Sequence, residues 1–522
     1  MSTPRSGVTR DVPATRVDSP ARPAERGATR SWLLVAGLVA VVALGCRLVP
    51  MLRGGGLFGL GNYDDAVYYA AATALAHGEL PYRDFLLLHP PGIVLALAPF
   101  ALVARLTSDH TGFALARLAW VLLGCLNAVL VARILRPLGL VGALLGGLAY
   151  AGTYAALYVE WTTQLQGLGN TCLLLALALI LGRGSARLAT PRALLVAGAL
   201  LGVSASVKIW GAATAVLVLG WLLVVVGRRA LALLAGIVAG AVVVCLPFFV
   251  VAPGLMWRDV VVAQLGRQGS GIPASVRLAD IAGLHLYDPE KLSTAALALA
   301  LLVVVAVLVL ACTQPSMGLV AVLFLGLSAV LLVGPSWFSH YAALVAPPLA
   351  IAFGAAGQTA WGWLTGGRRA GTATGAVVLL VQVVILGVWA LPLTGQSFGR
   401  SFAGDRLARG VRDLPGCVVA DNPAALIAMN VLGRNLERGC LPMADLGGYS
   451  YVLPRATGKP FPRSKDPAWQ GFALPYFRSA SAVIITNYRE GNGLSKATAA
   501  EIRSWPVLAR AGSYTVRQPP PP

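Results

Sequence analysis

Ile93-Val94-Leu95-Ala96-Leu97-Ala98-Pro99-Phe100-Ala101-Leu102-Val103-Ala104-Arg105-Leu106 is the stretch on which the reading of this chain turns. It is apolar enough to enter a membrane, but a helix over residues 93–106 would be only ~21 Å long. The hydrocarbon layer is ~30 Å thick. The run reads as a re-entrant or interfacial helix, with Pro90-Pro91 as its rigid entry. If it crossed, every later loop would change sides. The runs that do reach a spanning length lie at roughly 31–52, 112–134, 138–157, 165–182, 193–207, 209–226, 230–251, 294–311, 317–334, 340–358 and 373–393. With these eleven and the N-terminus inside, Arg133, Arg136, Arg183, Arg187, Arg192, Arg228, Arg229, Arg368 and Arg369 fall on the cytoplasmic side. The short outer turns hold one cation, Lys208, as the positive-inside rule requires.

Composition supports a membrane protein throughout. Of the 522 residues 57% are apolar and only 12% charged, against 45–50% and about 25% in an average soluble domain. Mean hydropathy is +0.73. No series of alternating ten-residue strands suggests an outer-membrane barrel. The net charge of +20 rests mostly on arginines, many at the ends of apolar runs, so it orients spans and does not point to nucleic acid. The expected protein is an α-helical polytopic membrane protein of about eleven transmembrane helices plus interfacial helices, carrying a small C-terminal α/β domain. Its expected location is the plasma membrane, multi-pass, with a cytoplasmic N-terminus.

Three segments follow from this division: a disordered cytoplasmic tail at 1–30, a membrane domain at 31–393, and an extracytoplasmic domain at 394–522. The large outer loops are 53–111 and 252–293. Outside the tail, every Asp and Glu lies in these outer regions except Glu160, at an outer span end. No cytoplasmic loop contains an acid or is long enough for a nucleotide-sugar domain, so acid–base chemistry belongs to the outer face. There, Cys417 and Cys440 are the only thiols of the C-terminal region and suit a disulfide in an oxidising compartment. No His/Cys set with metal-ligand spacing is present. The Gly-Ser-Gly run at 269–271 makes loop 252–293 a candidate lid; a solvated connector explains it equally well.

The densest chemistry is Asn62-Tyr63-Asp64-Asp65-Ala66-Val67-Tyr68-Tyr69. Asn62 or Asp64 can cap a helix, and both acids suit its positive end, which should keep at least one ionised at neutral pH. Two adjacent carboxylates just after a span are costly near lipid, which favours function over capping alone. Pro81-Tyr82-Arg83-Asp84-Phe85 and His89-Pro90-Pro91-Gly92 follow. Arg83 and His89 can hold a phosphate or sugar hydroxyl; Arg83 can equally pair with Asp84.

This ordered set resembles the GT-C glycosyltransferases, in the protein O-mannosyltransferase-like and aminoarabinose-transferase-like branch (glycosyltransferase family 39-like). The resemblance covers roughly 31–360. Lys208 at an outer turn fits it, as do Ser339-His340-Tyr341 and Pro347-Pro348. The acid usually found after the third span is represented only by Glu160, with Gln164 and Gln166 nearby. The resemblance implies a polyprenyl-phosphate-sugar donor, mannose or arabinose, and an inverting transfer on the outer face to a cell-envelope glycan, glycolipid or protein. It implies Asp64 or Asp65 as the base, with Asp64 matching the family's first acid. A phosphate leaving group needs cations or hydrogen-bond donors, for which Arg83, His89, Lys208, Arg258, Arg267, Arg277, His340 and Tyr341 are candidates. The scheme requires no resident cofactor, and a divalent metal stays open. The rival class is a transporter or lipid-linked-sugar flippase. Carriers usually place ionisable groups near the bilayer midplane and are built from repeated halves, and neither is found here.

Overall fold

The computed structural model describes residues 23–267, 269–288, 290–367, 369–454 and 462–521. Each of the eleven long apolar runs forms a helix or a bent helix pair. These are α1 (Pro23–Arg53), α4 (Asp109–Leu135), α5 (Leu140–Gly152) with α6 (Tyr154–Trp161), α7 (Leu165–Leu181) and α8 (Pro191–Val207). They continue with α9 (Trp210–Val226), α10 (Leu231–Val251), α11 (Thr294–Cys312), α12 (Gly318–Val333), α13 (Ala346–Thr365) and α14 (Arg369–Ala390). Between α1 and α4 lie α2 (Tyr63–Ala76) and α3 (Gly92–Leu106). Residues 1–22 of the expected N-terminal tail lie outside the described residues. Its last part differs from expectation, because α1 already begins at Pro23.

By length and apolarity alone, five stretches qualify as spans, or six if the bent α5–α6 pair counts as one. One of the five, Trp210–Val251, contains two runs. Gly198 and Gly202 of α8 lie against Leu233, Ile237 and Ala241 of α10, in ascending order, so α8 and α10 are parallel. The chain must therefore run back along α9, and it reverses at Gly227 with φ +60°. The α8–α10 seam is set by backbone contact: a Cβ on Gly198, Gly202, Gly236 or Gly240 would meet a carbonyl oxygen at 2.0–2.2 Å. Such close approach of small residues is how helices pack where lipid supplies no hydrophobic drive.

The short helix α3 buries Ile93, Val94, Leu97, Ala101 and Ala104 against α2 and α4, while Leu95, Leu102 and Leu106 are exposed. It is among the helices too short to qualify as a span. Asn62 caps α2, its Oδ1 accepting from Asp65 N at 2.9 Å. Ser108 caps α4, and Thr190 with Pro191 starts α8. Each cap satisfies a donor that the first turn leaves free.

The C-terminal segment forms a four-stranded sheet, β1 (Val418–Ala420), β2 (Ala482–Ile484), β3 (Val507–Ala511) and β4 (Tyr514–Arg517). The order is β1-β2-β4-β3, with β1 and β2 parallel in the register Val418↔Ala482 to Ala420↔Ile484 and the other pairs antiparallel. The parallel pair is wholly buried, as parallel strands covered on both faces are. Cys417 and Cys440 are joined by a disulfide. Several contacts fasten the segment to the membrane domain, two of them near the ends of α2 and α4. Leu60 pairs with Arg400, and the Asp109 carboxylate accepts from Gly433 N at 3.1–3.2 Å while Asn430 Oδ1 accepts from Asp109 N at 2.7 Å.

Candidate active site between the membrane domain and the C-terminal segment

A cavity of about 380 Å³ opens where α2, the turns around 164 and 208, the segment 338–341 and the C-terminal segment meet. Of the expected site residues, Asp64, His89, Gln164, Lys208, Arg267, His340 and Tyr341 all line it. The helix start at Asn62 explains the first of these. It turns consecutive residues a third of a revolution apart, so Asp64 faces the cavity and Asp65 faces the protein.

Asp65 is fully buried and fully bonded. Its Oδ2 accepts from Arg117 Nε at 3.0 Å and Nη2 at 2.5 Å, and its Oδ1 from Thr163 N at 2.9 Å and Thr163 Oγ1 at 3.2 Å. Arg117 in turn donates to Leu57 O and Gly59 O. This carboxylate ties α2 to α4 and to the 162–164 turn, and it does not line the cavity, contrary to its expected place beside Asp64. Glu160 is likewise buried away from the cavity. It pairs with Arg47 and accepts from Asn127 Nδ2 at 2.7 Å and Tyr150 Oη at 2.8 Å.

Arg83 and Asp84 are also displaced from the expected site. They pair with each other at 2.7–2.8 Å on the surface, and Asp84 Oδ2 accepts from Leu80 N, closing the local turn. Arg258 pairs with Asp259, and Arg277 donates to carbonyls between 331 and 335; neither lines the cavity. Residues 269–271 are held down: Ser270 N donates to Pro335 O and Ser270 Oγ accepts from Trp337 N.

Inside the cavity the charges are less completely matched. Lys208 is buried, with its Nζ 4.0 Å from the Trp210 ring centre and 4.5 Å from that of Tyr341. Burial, and then the nearby Arg267, bring its ammonium down to about 7, against the pull of Asp64. Arg267 donates to Tyr341 Oη at 3.2 Å and lies 4.9 Å over the Tyr451 ring, while its Nε has no hydrogen-bond partner among the described residues. Burial and the neighbouring Asp445 push Asp64 above the ordinary carboxylate range, with Gln164, Arg267 and Lys208 pulling it back. Burial next to Arg267 and Lys208 keeps His89 well below the usual imidazole range. Its Nδ1 is also unpartnered among the described residues. His340 stacks between Tyr158 and Phe338.

Sequence reasoning missed the wall supplied by the C-terminal segment. Asp445, Tyr451, Arg463, Asn487 and Tyr488 of the C-terminal segment all line the cavity. Tyr63 Oη donates to Asp445 Oδ1 at 3.0 Å and accepts from Gly447 N at 2.8 Å. No local motif marks these residues. The one available signal was the placement of a polar, Tyr- and Asp-bearing segment beyond the last span. Among the described residues no cluster of three or more His, Cys, Asp or Glu side chains is arranged to hold a metal ion.

The arrangement can do a definite kind of chemistry. A carboxylate raised above its ordinary range faces Lys208 and Arg267 across a small cavity. The cations suit an oxyanion such as a phosphate, and the carboxylate suits proton removal from a neighbouring hydroxyl.

No family model matches the sequence, and no curated protein matches it either. Solved structures do. The crystal structure of ArnT from Cupriavidus metallidurans in the apo state superposes with a TM-score of 0.56 at 14% identity, over 95% of this chain and 98% of that one. The archaeal oligosaccharyltransferase AglB from Archaeoglobus fulgidus, in complex with an inhibitory peptide and a dolichol-phosphate, gives 0.56 at 12% identity over 87% and 69%. Identities this low speak to architecture alone: the protein is a multi-pass membrane protein with the fold of the GT-C glycosyltransferases.

Proposed function

We propose that the protein is a glycosyltransferase that moves a sugar from a polyprenyl-phosphate donor to a hydroxyl acceptor in a single inverting displacement. The observation that carries the reading is the cavity in which Asp64 faces Lys208 and Arg267. The acceptor hydroxyl gives its proton to Asp64 as its oxygen bonds to the anomeric carbon. The bond from that carbon to the phosphate oxygen breaks, and the charge released on the phosphate is met by Lys208 and Arg267. A hydroxyl is a weak nucleophile without a base, and a carboxylate raised above its ordinary range is a stronger one than usual. Cations with free donors in a partly desolvated cavity suit a phosphate better than fully solvated ones, because less water must be displaced. Dolichol-phosphate, the lipid held by AglB in its solved structure, is the lipid-phosphate part of a donor of the proposed class, without its sugar.

The proposal includes the membrane setting. The active site faces the outer side of the plasma membrane, the N-terminus is cytoplasmic, and 394–522 is an extracytoplasmic domain. The sugar is mannose or arabinose, and the acceptor a cell-envelope glycan, glycolipid or protein. No resident cofactor takes part.

One experiment addresses donor and chemistry together. Purified protein in nanodiscs is incubated with radiolabelled polyprenyl-phosphate mannose and polyprenyl-phosphate arabinose, plus an envelope extract, with and without EDTA. Label moving from lipid to a larger product supports the reading, and intact donor under every condition overturns it. Alkaline phosphatase fused after Leu393 should be active; an inactive, normally expressed fusion would reverse the sidedness.

A further inference from the structure

The two walls of the cavity differ in kind. The membrane-side wall supplies Lys208 and Arg267; the C-terminal wall supplies Asp445, Arg463, Asn487 and Tyr488. Asp445 stands on this second wall beside the groups that can bond an acceptor, and Arg463 is already engaged there with Ser450 and Gly447. An anionic acceptor would lie against that carboxylate in a partly desolvated site, which is unfavourable, whereas a neutral one would not.

The C-terminal wall also has groups suited to sugar hydroxyls. Tyr488 is 6% exposed, its ring lies 6.2 Å from that of Tyr63, and its hydroxyl sits beside the Tyr63 hydroxyl at the same cavity as Asp445. A phenol both donates and accepts, so a contact with Tyr63 leaves it able to bond a ligand hydroxyl as well. Asp445 is held in place by Tyr63 Oη and by Gly448 N, which donates at 2.7 Å to the same Oδ1. Aromatic rings beside a carboxylate, an amide and a phenol match the apolar faces and hydroxyl edges of a pyranose or furanose. Arg463 is itself engaged, donating to Ser450 Oγ at 3.1 Å and to Gly447 O at 3.0 Å, and so frames this wall.

Building on the glycosyl-transfer reading, we infer that Tyr488 and Asp445 form the acceptor subsite and that it takes an uncharged glycan. Tyr488 Oη and the Asp445 carboxylate bond acceptor hydroxyls and hold one of them toward Asp64. Both are specificity-determining residues, distinct from the base.

The test reads acceptor binding without requiring turnover. The full chain in nanodiscs, saturated with polyprenyl phosphate, is titrated with labelled neutral mannose and arabinose oligosaccharides, a phosphorylated counterpart, and a Ser/Thr-rich peptide. Saturable binding of a neutral oligosaccharide, weakened about three- to tenfold in Tyr488→Phe by loss of one hydrogen bond and further in Asp445→Asn, is the expected result. Tighter binding of the phosphorylated sugar or the peptide overturns the inference. So does the absence of neutral-sugar binding, or neutral-sugar binding that both variants leave unchanged. Failure of the transfer reading appears elsewhere, as full transfer activity in Asp64→Asn.

Discussion

Asp65 and Asp64 are neighbours in the chain, yet they belong to two regions built on opposite principles. Around Asp65–Arg117 and Arg47–Glu160, each carboxylate oxygen has a donor and all four side chains are fully buried. Around Asp64, Lys208 and Arg267, charges face an open volume and donors remain unused. A satisfied buried pair holds elements in register, and any change in its protonation would be costly. An unsatisfied one is ready to meet a ligand's charge. Within one helical turn the protein places the same residue type first at an open cavity and then in a sealed ion pair.

Swapping the two acids should break the comparison most visibly. Asp64→Asn keeps shape but cannot take a proton, so turnover should fall ~10²–10⁴-fold while thermal stability stays near that of the parent. Asp65→Asn should do the reverse: it strands Arg117 and costs about 3–5 kcal/mol. The measurement is thermal unfolding in detergent beside turnover per folded molecule. Equal loss of activity with intact stability in both would erase the distinction drawn here.

The disulfide is next in size. Cys417→Ser with Cys440→Ser should destabilise the C-terminal segment by ~3 kcal/mol in the chain-entropy model, seen as earlier proteolysis of that segment. Alkylation of both native thiols without prior reduction would refute the bond.

Lys208 gives a smaller, graded effect. With its ammonium near 7, it is charged below that pH and increasingly neutral above it. Polyprenyl-phosphate affinity should then weaken from pH 7 to pH 9, by up to about tenfold per unit for one linked proton. Lys208→Met should bind more weakly at pH 6 and lose most of the slope. An unchanged slope would place the titrating group elsewhere. The smallest effect belongs to Arg83→Ala. Its partner is the exposed Asp84 turn, and exposed pairs contribute little, so transfer rates should stay within about twofold of the parent.

How much was legible beforehand follows from the same contrast. Long apolar runs and flanking arginines act through the solvent preference of single residues, and they located the helices and the short α3. The pair Asp64–Asp65 stood out by composition, but which acid faced the cavity depended on where Asn62 caps α2, a matter of one residue's rotation. Arg83 looked like Lys208 and Arg267 in sequence, and Glu160 looked like Asp64. Only their partners, Asp84 and Arg47, distinguish them, and the Arg47–Glu160 pair spans more than a hundred positions. Asp445 and Tyr488 were silent because their meaning comes from docking against α2 through Tyr63, a tertiary contact that leaves no periodicity behind.

The glycine seam of α8 and α10 extends this to mutational tolerance. Lys208 follows directly on the last residue of α8, and the position of α8 is set by backbone contact with α10 at Gly198, Gly202, Gly236 and Gly240. A single methyl group at any of them has nowhere to go, so the helices must part and carry the ammonium with them. Gly236 and Gly240 bear no functional group and lie far from Lys208 in sequence. A deep mutational scan should nonetheless find them as intolerant of alanine as many residues that touch the cavity. Part of the cavity's geometry is thus encoded in positions whose only property is to be small.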